Sequence, residues 1–128
     1  MSMSVEQFLT LSDTEQLQTI KDLNDIGQEE IIIDVLTGVG IDNLSVPLLS
    51  ELGRAYNNND KPEEAIKVFK AIDTEHRDAV WHYRCAYSHG SIASTNHEAY
   101  TSENMQQMLA LVDNGVRLAT KEGRNDIK

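Results

Sequence analysis

The 128-residue chain has a single cysteine and no long apolar run, and each shortage excludes a class of protein. The single cysteine, Cys85, excludes an internal disulfide framework, and a lone thiol favours a reducing compartment. No apolar run approaches the roughly 20 residues that a membrane-spanning helix needs. Residues 1–6 lack the basic flank and apolar segment of a secretory signal. We therefore expect a soluble, cytoplasmic protein with no membrane partner.

Basic residues are also scarce, mainly in the first third of the chain. Residues 1–45 contain nine acidic residues and one basic residue, Lys21, which gives a net charge of -8. Residues 46–128 contain twelve acidic and ten basic residues, a net charge of -2, so that the whole chain carries -10. Because an acidic surface repels phosphate, we expect no nucleic acid partner. The acidic first third serves either solubility or the attraction of a basic partner protein.

Helical periodicity dominates the sequence, and no segment shows the sustained period-two alternation of a strand. Capping patterns mark helix starts at Ser12 with Glu15, at Ser45 before Val46-Pro47, and at Asp60 with Glu63. We predict a single all-α domain over residues 1–128 with about seven helices. They cover approximately residues 5–11, 13–25, 28–36, 46–58, 62–72, 75–89 and 102–121, with a long loop at 90–101.

Two stretches indicate a repeat built from helix pairs. Leu52-Gly53-x-Ala55-Tyr56, then Pro62-Glu63-Glu64-Ala65 and Phe69, resembles the tetratricopeptide (TPR) motif. Small residues at 53 and 65 allow close helix contact, and the aromatic rings fill the space between the helices. Trp81-His82-Tyr83-Arg84 is similar to the stretch that opens a repeat in a group of bacterial TPR proteins. Aligning Leu52-Gly53 with Cys85-Ala86 gives a period of 33, and aligning Ala55-Tyr56 with Ala86-Tyr87 gives 31; we prefer 33.

The TPR resemblance is strong over residues 46–89 and weak elsewhere. It implies a degenerate repeat at about 13–45, a repeat at about 46–74, and a repeat at about 75–121 that contains the inserted loop 90–101. The implied fold is a right-handed α-α superhelix of antiparallel helix pairs, whose concave face is formed by the first helix of each pair. Such domains bind peptides or partner proteins.

The preferred register predicts which side chains lie on the concave face. Tyrosine and arginine are favoured at interfaces, because they combine apolar area with hydrogen bonding. The alternative is that Tyr83 and Tyr87 only complete the packing between helices. The predicted partner-binding residues are Ser50, Arg54, Asn57, Asn58, Tyr83, Arg84 and Tyr87.

Catalysis is not expected, because the candidate reactive groups have simpler structural explanations. His82, Cys85 and His89 share one helix, but the two histidines are separated by about 10 Å of helix rise, which is too far for one metal ion. We expect Cys85 to be a buried, inert thiol, and we predict no metal and no cofactor. The predicted function is therefore protein binding to an unidentified peptide or protein, with a homodimer possible. Alternatives are an immunity or antitoxin-like protein that neutralises a toxin, and a self-assembling structural subunit.

Overall fold

The computed structural model describes residues 3–95 and 102–122, and within these ranges it contains seven α-helices and no strand. Single turns of 3₁₀ helix at Ile41–Asn43 and Thr74–His76 precede the fourth and sixth helices. The predicted all-α fold is confirmed for the described ranges. The helices are α1 (Val5–Leu9), α2 (Asp13–Asp25), α3 (Glu29–Val39), α4 (Val46–Asn58), α5 (Pro62–Lys70), α6 (Ala79–Thr95) and α7 (Ser102–Glu122).

Serine caps start α2 and α4 as the sequence predicts. Ser12 Oγ accepts a hydrogen bond from the Glu15 N–H at 3.2 Å, and the Glu15 carboxylate accepts one from the Ser12 N–H at 3.1 Å. The backbone bond from Ser12 is the main cause that lowers the pKa of Glu15. At α4, Ser45 Oγ accepts a hydrogen bond from the Leu48 N–H at 3.4 Å. These side chains satisfy N–H groups that have no partner inside the helix.

The capping box predicted at the start of α5 does not form. Asp60 has a φ of 57°, in the left-handed region, and so it ends the turn that follows α4. Aspartate is among the few residues that adopt this conformation readily, because its short polar side chain can bond locally. Lys61 occupies the N-cap position of α5, without a capping hydrogen bond from its side chain. The prediction that Asp60 and Glu63 form a capping box is therefore wrong.

Helix α6 lies further along the chain than the sequence predicts. It begins at Ala79, because Asp78 Oδ1 accepts a hydrogen bond from the Trp81 N–H at 2.9 Å and so caps the first turn. It continues to Thr95, so residues 90–95 of the predicted loop 90–101 are helical. Packing explains the extension, since α6 lies along α7 and Ala93 is buried. Residues 96–101 of the predicted loop lie outside the described residues.

The helices pack as three successive pairs, α2 with α3, α4 with α5, and α6 with α7. Neighbouring pairs are joined because α4 contacts α2, α3 and α6, while α5 also contacts α6. The first helices of the three pairs therefore contact one another in the order α2, α4, α6. Helix α1 packs on α3 and buries Phe8. A membrane-spanning helix is not found in the described ranges, since no helix there combines sufficient length with sufficient apolar character.

A close contact at Gly53 joins α4 to α5. A Cβ atom added at Gly53 would lie 2.5 Å from Cζ and 2.8 Å from Cδ1 of Phe69, well inside van der Waals contact. Phe69 itself is fully buried. The absence of a side chain at Gly53 is what allows the ring to lie against the α4 backbone.

Trp81 attaches the third helix pair, α6 with α7, to the end of α5. Its indole N–H donates a hydrogen bond to the Phe69 carbonyl at 2.8 Å, so the start of α6 is fixed to the end of α5. The Arg77 guanidinium lies 4.5 Å from the centre of the Trp81 ring, and its Nε donates to the Ile72 carbonyl at 3.0 Å. An arginine over an indole face is a favourable cation–π contact. The connection between α5 and α6 is therefore held by apolar, aromatic and backbone contacts together.

Candidate interaction site

A buried carboxylate, Glu51, joins the first helices of all three pairs. Its side chain is 5% exposed. Arg84 Nη1 on α6 lies 3.0 Å from Oε2, Arg54 Nη1 lies 3.2 Å from Oε1, and Asn24 Nδ2 on α2 donates to Oε1 at 3.2 Å. A buried charge is tolerated when it is paired and hydrogen-bonded, and all three contacts contribute to that here. Glu51 was not among the predicted residues.

Two of the predicted partner-binding residues, Arg54 and Ser50, form ion pairs or hydrogen bonds with other residues of this chain. Arg54 Nη2 lies 3.1 Å from Asp25 Oδ1 in addition to its bond with Glu51, although Asp25 is 64% exposed. Ser50 Oγ accepts a hydrogen bond from Arg84 Nη1 at 2.9 Å. Arg54 thus connects α4 with α2, and Ser50 connects α4 with α6. Both side chains support the arrangement of the helices.

The predicted pair of asparagines divides into a structural and an exposed residue. Asn57 is buried, and its Nδ2 donates to the Arg84 carbonyl at 3.0 Å. Ser88 Oγ donates to Asn57 Oδ1 at 2.6 Å, so the amide is bonded at both ends to α6. Asn58 is exposed. Asn57 therefore fixes α6 on α4, and Asn58 is the member of the pair that a partner can reach.

The two predicted tyrosines on α6 have different surroundings. Tyr87 is 58% exposed. Tyr83 is half-buried, and a Cβ atom added at Gly115 of α7 would lie 3.1 Å from its Cδ2 and Cε2. The Tyr83 ring therefore packs against the α7 backbone. Its placement matches the packing alternative, whereas Tyr87 presents an aromatic ring to solvent.

An open cleft of about 280 Å³ lies where α2, α4 and α6 meet. A second cleft, of about 360 Å³, adjoins it and shares Leu17 and Pro47 as lining residues. Ser50 and Arg84 are the two predicted site residues that line the first cleft. Its apolar lining is Leu17, Val46, Pro47, Ile72, Val80 and Trp81, and its polar lining is Lys21, Ser50, Glu51, His76, Asp78 and Arg84.

Burial shifts the pKa of three titratable groups on α6, namely Cys85, His82 and His89. Burial raises the pKa of the Cys85 thiol to about 11, so the thiol stays protonated at neutral pH. Burial, followed by the charge of Lys70, lowers the pKa of His89, and burial, followed by Arg77, lowers that of His82. The predicted burial of Cys85 is confirmed. Since a reactive cysteine needs exposure and a stabilised thiolate, this thiol is poorly suited to act as a nucleophile.

One group of potential metal ligands appears among the described residues. Ligand atoms of Asp73, Glu75 and His76 lie within 4.8 Å of one another, and all three residues are exposed. Exposed acidic side chains commonly cluster without binding a metal. We assign no metal site to them.

Comparison with known proteins adds no relative from which a function could be transferred. No protein-family model matches the chain, and no curated protein or solved structure is significantly similar to it. The candidate site therefore has to be interpreted from its own contacts, burial and charges.

Proposed function

We propose that the chain is a TPR-like protein–protein interaction module that binds a peptide or protein on the face formed by α2, α4 and α6. The order of contacts supports this proposal, because the first helix of each pair touches the first helix of the next. The burial of the motif residues supports it as well: Leu52, Gly53, Ala55, Ala65 and Phe69 are all buried. In this proposal the three pairs stack as a right-handed superhelix with α2, α4 and α6 on its concave side.

The observation that carries the proposal is the open cleft lined by these three helices. Open clefts with mixed apolar and polar lining are suited to binding a side chain or a peptide segment. The network around Glu51 holds the three helices together, so the cleft is formed before a partner arrives. Preorganisation of this kind reduces the entropy that binding costs. Of the seven predicted residues, Ser50 and Arg84 line the cleft, and Asn58 and Tyr87 are exposed.

Affinity capture from the source cell tests the proposal. Tagged wild-type protein is compared with Tyr87→Ala, which removes an exposed aromatic ring of α6, and with Lys67→Ala, which alters an exposed residue of α5. We expect a protein that is recovered with wild type and with Lys67→Ala but reduced with Tyr87→Ala. Chemical cross-linking of the recovered complex should join the partner to α4 or α6.

Two outcomes would decide against the proposal. One is that no protein is recovered above the level of an unrelated acidic bait of equal size. The other is that cross-links fall only on α3 and α5. If the captured protein is itself a toxin whose effect the chain suppresses, the narrower immunity or antitoxin-like role follows.

Self-assembly is a second candidate, and the surface of α7 favours it. Leu109 and Val116 are 56% and 40% exposed, and their spacing of seven places them on one face of the helix. An exposed apolar stripe can stack on a second copy of the chain. Light scattering during gel filtration separates the two candidates. A dimer that dissociates in Leu109→Asp would support self-assembly, and a monomer at all concentrations would contradict it.

A further inference from the structure

The cleft between α2, α4 and α6 has an apolar wall that three different helices provide. Leu17 comes from α2, Pro47 from α4, and Val80 from α6. The adjoining second cleft continues this surface past Leu17 and Pro47 towards the start of α2. The combined surface is therefore longer than a single side chain requires, which suits a segment of polypeptide.

A free cationic group lies at the same cleft. Lys21 is the one basic residue among the first 45, and it lines this cleft. It is exposed, and within the described ranges it forms no ion pair. Every other charged side chain in this acidic third would repel an acidic ligand. Lys21 is the exception.

Arg84 supplies a second cationic group, and its position is fixed. Its Nη1 donates to Ser50 Oγ, to the Ser50 carbonyl and to Glu51 Oε2, at 2.9, 3.2 and 3.0 Å. A guanidinium carries five N–H donors on three nitrogens, and these bonds use only one nitrogen. The Arg84 side chain is 24% exposed and lines the cleft. A fixed planar guanidinium matches the geometry of a carboxylate.

The acidic groups of the cleft are already engaged. Glu51 is buried between Arg54 and Arg84, and Asp78 Oδ1 accepts the Trp81 N–H as the cap of α6. In the lining of this cleft, Lys21 and Arg84 carry two positive charges, and Glu51 and Asp78 carry two negative charges. With His76 neutral, the net charge of the lining is therefore zero, whereas the net charge of the whole chain is -10. The cleft lining is therefore less negative than the chain as a whole.

We propose that this cleft binds a peptide segment in which an acidic residue stands next to a large apolar side chain. The apolar side chain packs between Leu17, Pro47 and Val80, and the carboxylate pairs with Lys21 and Arg84. This inference rests on the proposed function and makes it specific, because it names both the subsite and the chemistry of the segment. It also places the recognition of acidic groups at Lys21, outside the residues that the repeat register predicts.

Selection from a random peptide library tests the inference. Phage that display random 12-residue peptides are panned against the intact chain, with an unrelated acidic protein as counter-selection. We expect enriched peptides to carry Asp or Glu within about three positions of Leu, Phe or Trp. The strongest peptide is then synthesised with a fluorophore, and its dissociation constant is measured by anisotropy.

Two matched lysine-to-glutamate substitutions test whether the peptide binds at the cleft. Lys21→Glu reverses the free charge at the cleft, and Lys67→Glu makes the same change on an exposed helical lysine that does not line it. Pro47→Glu blocks the apolar wall, in a first helical turn where a carboxylate is tolerated. We expect Lys21→Glu and Pro47→Glu to weaken binding about tenfold or more, and Lys67→Glu to leave it within about twofold. A peptide with its acidic residue changed to Lys should bind Lys21→Glu better than wild type.

The results separate the failure of this inference from the failure of the proposed function. Peptides without acidic enrichment, or peptides that bind Lys21→Glu and Pro47→Glu as tightly as wild type, would overturn the cleft assignment and leave peptide binding elsewhere on the chain intact. If no peptide is enriched over the counter-selection, both the cleft assignment and the peptide-binding function are contradicted. Circular dichroism of each variant establishes that the fold is retained before binding is compared.

Discussion

The central helix α4 and the terminal helix α7 show how position in the stack determines what a helix tolerates. Helix α4 has 13 residues and contacts four other helices, whereas α7 has 21 residues and packs mainly on α6. Seven residues of α4 are buried, compared with Gly115 and Ala119 among the described side chains of α7. Among the described side chains, those of the shorter helix are therefore more deeply buried than those of the longer one.

Both helices nevertheless use the same device, a glycine that faces an aromatic ring. At Gly53 an added Cβ would lie 2.5 Å from Cζ of the Phe69 ring, and at Gly115 it would lie 3.1 Å from Cδ2 and Cε2 of the Tyr83 ring. Phe69 is enclosed by the core, while the Tyr83 side chain is only half-buried. We infer that the cost of filling a glycine contact depends on how close the facing ring lies and how deeply that ring is buried.

The largest expected effect comes from leucine at these two positions. We expect Gly53→Leu to lower the free energy of unfolding by about 3 kcal/mol, because the side chain overlaps a ring that has no space to shift. Gly115→Leu should cost about 1 kcal/mol, because the ring of Tyr83 lies further from the glycine and is less buried. Urea unfolding followed by circular dichroism measures both. Equal losses in the free energy of unfolding for the two variants would contradict the inferred difference between the glycine contacts of α4 and α7.

The ionic contacts of the two helices provide the next test. Glu51 is buried between two arginines, whereas Asp113 and Arg117 form an exposed pair at 2.8 Å on α7. We expect Glu51→Gln to cost about 2 kcal/mol, since it removes the charge that compensates both arginines. Asp113→Asn should cost less than about 0.5 kcal/mol, as exposed pairs contribute little. If Glu51→Gln also costs less than about 0.5 kcal/mol, the ionic contacts of Glu51 do not stabilise the packing of the helix pairs.

A double-mutant cycle tests whether the Phe69 ring is what excludes a side chain at Gly53. In wild type, Gly53→Ala should destabilise by about 1 kcal/mol, because ring overlap outweighs the better helix propensity of alanine. In a Phe69→Leu background the ring is gone, so the same change should stabilise by up to about 1 kcal/mol. Unfolding curves of the four proteins give the coupling energy. If the sign of the Gly53→Ala effect does not change, the facing ring is not what excludes a side chain.

The sequence predicts the local features of this architecture better than the contacts between residues far apart in the chain. Ser12, Ser45 and Gly53 have local signatures, namely caps and a motif, and the structure has them in those roles. The extent of α6 could not be read locally, because Gly and Ser near its end have modest helix propensity and packing on α7 overrides it. The sequence predicts the start of α6 at Glu75, but Asp78 is also an acidic residue that can cap a helix. The hydrogen bond from the Trp81 N–H to Asp78 Oδ1 shows that Asp78 is the cap.

The missed residue at the candidate site, Glu51, has partners that are far away in sequence. Asn24 is 27 residues before it, and Arg84 is 33 residues after it. One local sign was present, since Glu51 stands three residues after Leu48 and four before Ala55, in the apolar stripe of α4. A charged residue in such a stripe predicts a buried ionic contact. Its partners cannot be named until the helices are arranged in space.

The smallest expected effect concerns the hydroxyl groups of Tyr83 and Tyr87, which the sequence register treats alike. The Tyr83 hydroxyl is buried and has no hydrogen-bond partner among the described residues, so Tyr83→Phe removes a group whose burial is uncompensated there. We expect it to leave the free energy of unfolding unchanged or to raise it by up to about 1 kcal/mol. Tyr87 is 58% exposed, so Tyr87→Phe should change stability by less than about 0.5 kcal/mol. Urea unfolding of both variants against wild type measures the difference. A loss of more than about 1 kcal/mol in Tyr83→Phe would mean that the hydroxyl is bonded, and that the contact between α6 and α7 is as specific as the contact at Gly53.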